Sequence, residues 1–211
     1  MSLLITRPRY DNGTHYLFHW AQKFIDKADE KNMPYFDITK KKVTRKKVQS
    51  YIKKQSPQII IFNGHGNSVS VLGHDNKEII SVKNGSDLFR DKVVFIRACD
   101  AGKELGPKIM QTGARGFIGY KEVFMFPFDK NKFSKPLEDE LALPFFECSN
   151  EVGLSLIKGQ TVNKSHKNSL KKYKEYYEKM LTSESTTYQD AWILFWNMNN
   201  QVCYSNEDEN R

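Results

Sequence analysis

The order of apolar and polar positions divides this chain into two textures. Up to about residue 120, short apolar, β-branched runs alternate with longer stretches whose apolar residues recur every three or four positions. Short runs bounded by glycine and polar residues predict buried strands, and the longer stretches predict amphipathic helices. Strands are expected at 3–6 and 33–38, in the run Gln58 to Phe62 that leads to His65, in the run Lys92 to Ile96 that leads to Cys99, and at 114–120. Tyr16, Leu17, Trp20, Phe24 and Ile25 predict a helix over 14–31; Val48, Tyr51 and Ile52 predict a second over 44–54; a third is expected at 103–112. Between His65 and Lys92, the runs 69–73 and 78–82 flank His74-Asp75-Asn76-Lys77, which predicts a hairpin, and a short helix follows at 84–89. This alternation argues for an α/β fold with a mostly parallel central sheet and helices on both faces.

Beyond Tyr120 the pattern changes. Residues 124–133 are aromatic, interrupted by Pro127 and without a period, as in a loop lying over one edge of the sheet. Helices are expected at 136–148, 151–158, 162–181 and 187–200, forming a helical C-terminal extension, and 201–211 is expected to be a tail. A chain of 211 residues with no internal repeat is read as one domain: a sheet core over 1–120, then the loop and helices over 121–200.

Composition and charge narrow the classes. The net charge of +8 is concentrated in 40–47 and 164–179, so these stretches are either a nucleic-acid surface or solvated helix faces. The first run has no interleaved aromatic residues, which favours solvated faces. No apolar stretch approaches the roughly 20 residues that span a bilayer, and the apolar core of 1–8 is too short for a signal peptide. Cys99, Cys148 and Cys203 form no Cys-x-x-Cys pair. A cytoplasmic, reducing location without a membrane partner is therefore expected.

The candidate chemistry sits just beyond two of the predicted strands. Gly64-His65-Gly66 follows one, and Ala98-Cys99-Asp100-Ala101-Gly102 follows the other. Open α/β sheets build their sites at the carboxyl ends of the strands, so adjacent strands would bring an imidazole and a thiol to one place. These are the components of a cysteine nucleophile with its base. The helix after Cys99 would favour a thiolate there. The N–H groups of Gly66 and Cys99 are candidates for an oxyanion hole. Asp100 is a candidate for substrate contact or, more simply, for capping the next helix. His74 has no partner at metal-ligand spacing, so neither a metal nor a cofactor is expected. Cys148 and Cys203 are read as structural.

The segments Ile59 to Gly66 and Val93 to Gly102 resemble the caspase-like superfamily of cysteine peptidases, which includes caspases, metacaspases, gingipains, clostripain-like enzymes, separases and the bacterial CHAT domains. By size and motif the chain looks most like a small prokaryotic CHAT or caspase-like peptidase. The resemblance covers about residues 3–120 and implies a caspase-like three-layer sandwich. It implies a dyad of Cys99 as nucleophile and His65 as general acid/base, an oxyanion hole at Gly66, and endopeptidase cleavage of a protein or peptide through a thioester. Arg97-Ala98-Cys99-Asp100-Ala101 departs from the Gln-Ala-Cys-(Arg/Gln/Gly)-Gly pattern of true caspases, and no third catalytic member is evident. In this superfamily the residue two before the cysteine tends to line the S1 pocket. Arg97 there predicts an acidic P1 residue, unless it only braces the strand end by pairing with a carboxylate. The alternatives are a silent module that binds without cleaving, and nucleic-acid binding through the basic helices. Control by a regulatory protein partner is a further extension.

Overall fold

The computed structural model describes residues 1–182 and 188–206. Six strands form the main sheet: β1 (Leu3–Arg7), β2 (Tyr35–Thr39), β3 (Ile59–Asn63), β7 (Val93–Arg97), β8 (Gly116–Tyr120) and β9 (Gln201–Ser205). Their order is β2-β1-β3-β7-β8-β9, parallel throughout except that β9 runs antiparallel to β8. A small antiparallel sheet, β4 (Gly66–Asn67), β5 (Ser70–Leu72) and β6 (Glu78–Ser81), is the predicted hairpin with one added strand.

Strand side chains alternate between two cores. Ile5, Ile61 and Phe95 point to the layer of α1 (Asn12–Trp20), α2 (Gln22–Glu30) and α5 (Leu143–Ile157). Leu4, Ile60 and Val94 point to the layer of α3 (Arg45–Gln55) and α4 (Leu105–Gln111). Burial on both faces explains why these strands read as continuous apolar runs. Outside this sandwich, α6 (Val162–Met180) and α7 (Ala191–Asn200) add a third cluster with Phe145, Cys148, Tyr173 and Leu194.

Four expectations need correction. The helix expected over 14–31 is two helices. Asn150 Nδ2 donates to the Trp20 carbonyl (2.9 Å), so the Phe24 N–H turns to Ala21 instead (3.1 Å), and a side chain inserted in the ladder breaks the helix. The helices expected at 136–148 and 151–158 are one, because Ser149 and Asn150 are not a polar break but buried polar groups with partners. That helix also starts late, since the Asp139 carboxylate takes the N–H groups of Leu141 (3.0 Å) and Ala142 (3.2 Å) in a turn ahead of it. Residues 201–205 are the edge strand β9 rather than tail; the end of the tail (207–211), like the first position of the helix expected at 187–200, lies outside the described residues.

Lysines of the second basic run face carboxylates: Lys171 with Glu175 and Lys174 with Glu178 (both 3.7 Å), and Lys172 with Glu147 (3.1 Å) and Glu151 (3.4 Å). These pairs fit the solvated-face reading. Among the described residues no helix is long and apolar enough to cross a membrane.

Candidate active site

β3 and β7 are neighbours, with Asn63 opposite Arg97 in the last register pair. Gly64 closes the ladder by donating to the Arg97 carbonyl (3.3 Å). Its φ of +148° and its approach to Pro8 and the Leu72 carbonyl (3.1 and 3.0 Å from where a Cβ would lie) leave no place for a side chain. Beyond this exit His65 and Cys99 open into the same cavity, about 530 Å³, over the carboxyl edge of the sheet. A larger cavity, about 780 Å³, lies at the opposite edge beside Met1, Ile59 and Val93 and holds neither of them.

The His65 imidazole is two-fifths exposed, and its Nε2 is held by Asp11 Oδ2 at 2.7 Å. Asp11 is the N-cap of α1. Its Oδ1 accepts from the Thr14 N–H (2.8 Å) and hydroxyl (2.7 Å), while Thr14 Oγ1 accepts from the Asp11 N–H (3.1 Å), a capping box. Burial acts to raise the Asp11 pKa, but the Thr14 donors and His65 outweigh it and hold the carboxylate below its usual range. The cap fixes one carboxylate oxygen and leaves the other for the imidazole. Asp11 is the residue that motif reading missed. The available signal was a cap-forming Asp-x-x-Thr just past β1, whose carboxyl end lies beside that of β3.

Cys99 lies in a turn that runs through Glu104, so α4 begins six residues after it rather than at its side. The expected stabilisation of a thiolate by that helix is absent. Burial instead pushes the thiol up; the Phe124 and Cys99 backbone amides pull it partly back, and the Asp100 carboxylate adds to the rise. Among the described residues no hydrogen bond joins the Cys99 sulfur to His65, whose Nδ1 remains unengaged.

Gly66 packs against the cysteine turn: a Cβ there would lie 2.9 Å from Ala98 Cβ and 3.2 Å from the Cys99 carbonyl oxygen. Leu72 donates to the His65 carbonyl (2.9 Å), which makes Gly66 and Val71 a non-hydrogen-bonded pair, so the Gly66 N–H points away from β5. Asp100 takes a φ of +59°, and its carboxylate pairs with Lys103 (2.8 Å), which also reaches Glu122 (3.1 Å). It caps no helix.

Arg97 departs furthest from expectation. It is fully buried. Its Nε and Nη2 donate to Asn63 Oδ1 (3.0 and 2.7 Å) and its Nη1 to Asn150 Oδ1 (2.6 Å), and it stacks over Phe24 and Phe146. Burial lowers its pKa to about 10, leaving it charged at neutral pH. Its partners are two amides, not a carboxylate. The guanidinium is fully buried and each of its nitrogens already donates to an amide oxygen, so this arrangement gives no support to the S1 role predicted for Arg97.

The loop after Tyr120 forms the cavity's far wall with Phe124, Met125 and Phe126. Asn197 holds the Met125 backbone at both its N–H (3.1 Å) and its carbonyl (2.6 Å). The buried Asp139 carboxylate accepts from the Tyr16 hydroxyl (2.6 Å) and the Asp129 N–H (2.9 Å). These anchors, with Phe126 packed on Phe146, make it a fixed wall rather than a lid. His74, at the hairpin turn, stacks edge-on against Tyr10 and pairs with Asp75 (3.3 Å).

No family model matches the sequence, and no curated protein matches it by sequence. By structure the chain is similar to gingipain R (RgpB), described as an Arg-specific cysteine proteinase, with a TM-score of 0.65 and 11% identity over 97% of this chain and 45% of that one. It is likewise similar to RgpB of Porphyromonas gingivalis in the complex of its pro- and mature domains, with a TM-score of 0.61 and 12% identity over 97% and 47% of the two chains. The chain spans about half the length of these proteins, and identity this low makes the likeness one of architecture. The mostly parallel sheet between two helical layers is the caspase-like α/β fold.

Proposed function

We propose that this chain is a cysteine endopeptidase in which Cys99 is the nucleophile and His65 the general acid/base. One observation carries the reading: adjacent parallel strands deliver the thiol and the imidazole to a single cavity, and Asp11 holds the nitrogen of the imidazole that the reaction does not need. A hydrogen-bonded Asp11 keeps the proton on Nε2 and leaves Nδ1 to act as base. With a peptide in the cavity, the Cys99 sulfur attacks the scissile carbonyl as its proton passes to His65 Nδ1. The Gly66 and Cys99 N–H groups receive the oxyanion. The imidazolium then protonates the leaving amine, and a thioester remains on Cys99. Water, deprotonated by His65, hydrolyses the thioester and restores the thiol. The unlinked sulfur and imidazole fit this scheme, since catalytic hydrogen bonds are often loose before substrate binds.

The test is covalent capture under reducing conditions. A peptide carrying a thiol-reactive electrophile should modify Cys99 in the native chain and fail to do so in His65→Ala, while both proteins melt alike. Modification that survives His65→Ala would show that the imidazole does not activate the sulfur. The raised Cys99 pKa favours one other reading, a silent fold that binds peptides in the same cavity. Peptide binding without any capture would select it.

A further inference from the structure

The cavity beside Cys99 also carries information about substrate. Its side walls are Leu17, Val123, Met125, Phe126, Trp192 and Ile193. Among the described residues, the ionisable side chains lining it are His65 and Cys99 themselves and Arg97, whose guanidinium is fully buried against Asn63 and Asn150. Two carboxylates beside it are spent elsewhere, Asp11 on Thr14 and His65 and Asp100 on Lys103. A charged side chain entering here would lose its hydration and meet no counter-ion, whereas an apolar one would be covered on several sides. The mouth points the same way. Trp192 and Val123 line it, yet they are 56% and 45% exposed, so apolar surface is left open at the place where a peptide must enter. Phe195 extends this surface one turn along α7 at 50% exposure.

We infer that the chain accepts a large apolar residue, aliphatic or aromatic, at P1, seated between Leu17 and the Trp192 edge of the cavity. This rests on the peptidase reading above. It replaces the acidic P1 that the position of Arg97 predicts from sequence, and it differs from the Arg specificity stated for gingipain R.

Four peptidyl acyloxymethyl ketones that differ only at P1 (Leu, Phe, Asp, Arg) test it, with the rate of adduct formation at Cys99 followed by mass spectrometry in the full chain. The Leu and Phe probes should react at least about tenfold faster than the Asp and Arg probes. Val123→Asp places a carboxylate at the exposed mouth, where the fold tolerates it, and should raise the Arg probe's rate severalfold over the native chain. Faster reaction of the Asp or Arg probe with the native chain, or equal rates for all four, would overturn the apolar pocket and leave the peptidase reading standing. No adduct with any probe, or adducts that persist in His65→Ala, would overturn the peptidase reading and the inference with it.

Discussion

Two pairs of side chains stand two residues apart at the ends of β3 and β7, and they behave oppositely. Asn63 and Arg97 form the last register pair of the ladder and turn into the layer of α2 and α5. There the side chains hold one another: Asn63 joins the Thr6 carbonyl (3.0 Å) to the guanidinium, and Asn150 joins the guanidinium to Trp20. His65 and Cys99, just beyond, keep one ring nitrogen and one sulfur without a side-chain partner among the described residues and face a cavity. The first pair shows how a buried charge is tolerated when each nitrogen is hydrogen-bonded and aromatic faces cover the guanidinium. The second shows what a reactive pair needs: rigid support from behind and unspent valence in front. Asp11 provides that support for His65, and the Gly66 backbone packs behind the cysteine turn.

The sharpest way to break this contrast is to exchange the consequences of mutation. His65→Ala should lower peptide hydrolysis by about 10²–10⁴-fold, the usual contribution of a general acid/base, with a melting temperature close to that of the native chain. A matching loss of stability would place His65 with the structural pair. Arg97→Ala should do the reverse. It orphans the Asn63 and Asn150 carbonyls and opens a cavity between Phe24 and Phe146, so urea denaturation should show a loss of about 3–5 kcal/mol. If the protein instead keeps its stability and changes its P1 preference, the guanidinium reaches substrate after all.

Asp11→Asn sharpens the comparison within the reactive pair. The amide keeps the shape of the cap but can present an N–H to Nε2, which favours the wrong tautomer of His65. The kcat value should fall by roughly 10²-fold with KM little changed, and a steady-state comparison with Asp11→Ala separates this from loss of the cap, worth about 1 kcal/mol. An unaltered kcat in both variants would reduce Asp11 to a helix cap. The smallest effect concerns pH. Because burial raises the Cys99 pKa, less thiolate exists at neutral pH than in an ordinary cysteine. Alkylation of the native chain by iodoacetamide should be slow at pH 7 and rise with pH through a midpoint above that of a free thiol. A fast, pH-independent rate near neutrality would mean a pre-formed thiolate–imidazolium pair.

The amino-acid order alone carried most of the architecture. Apolar runs alternating with three-and-four periodicity mark five parallel strands and their crossover helices, because a strand buried on both faces has almost no polar positions. The places of His65 and Cys99, just past two such runs, follow from the same rule. Even the orientation of Arg97 was latent in the parity of Val93, Phe95 and Arg97: residues two apart share a face, and that face is core. Tertiary structure decided the rest, wherever a local signal competes with a distant partner. Ser149 and Asn150 look like a helix break until Tyr120 and Arg97 engage them, and 201–205 look like a tail until β8 offers a free edge. Asp11 is a plain N-cap in the chain and becomes a partner of His65 only when β1 and β3 lie side by side, 54 positions apart in sequence. Spacing along a chain records local geometry, while hydrogen bonds and burial are settled by whatever the fold brings within a few ångström.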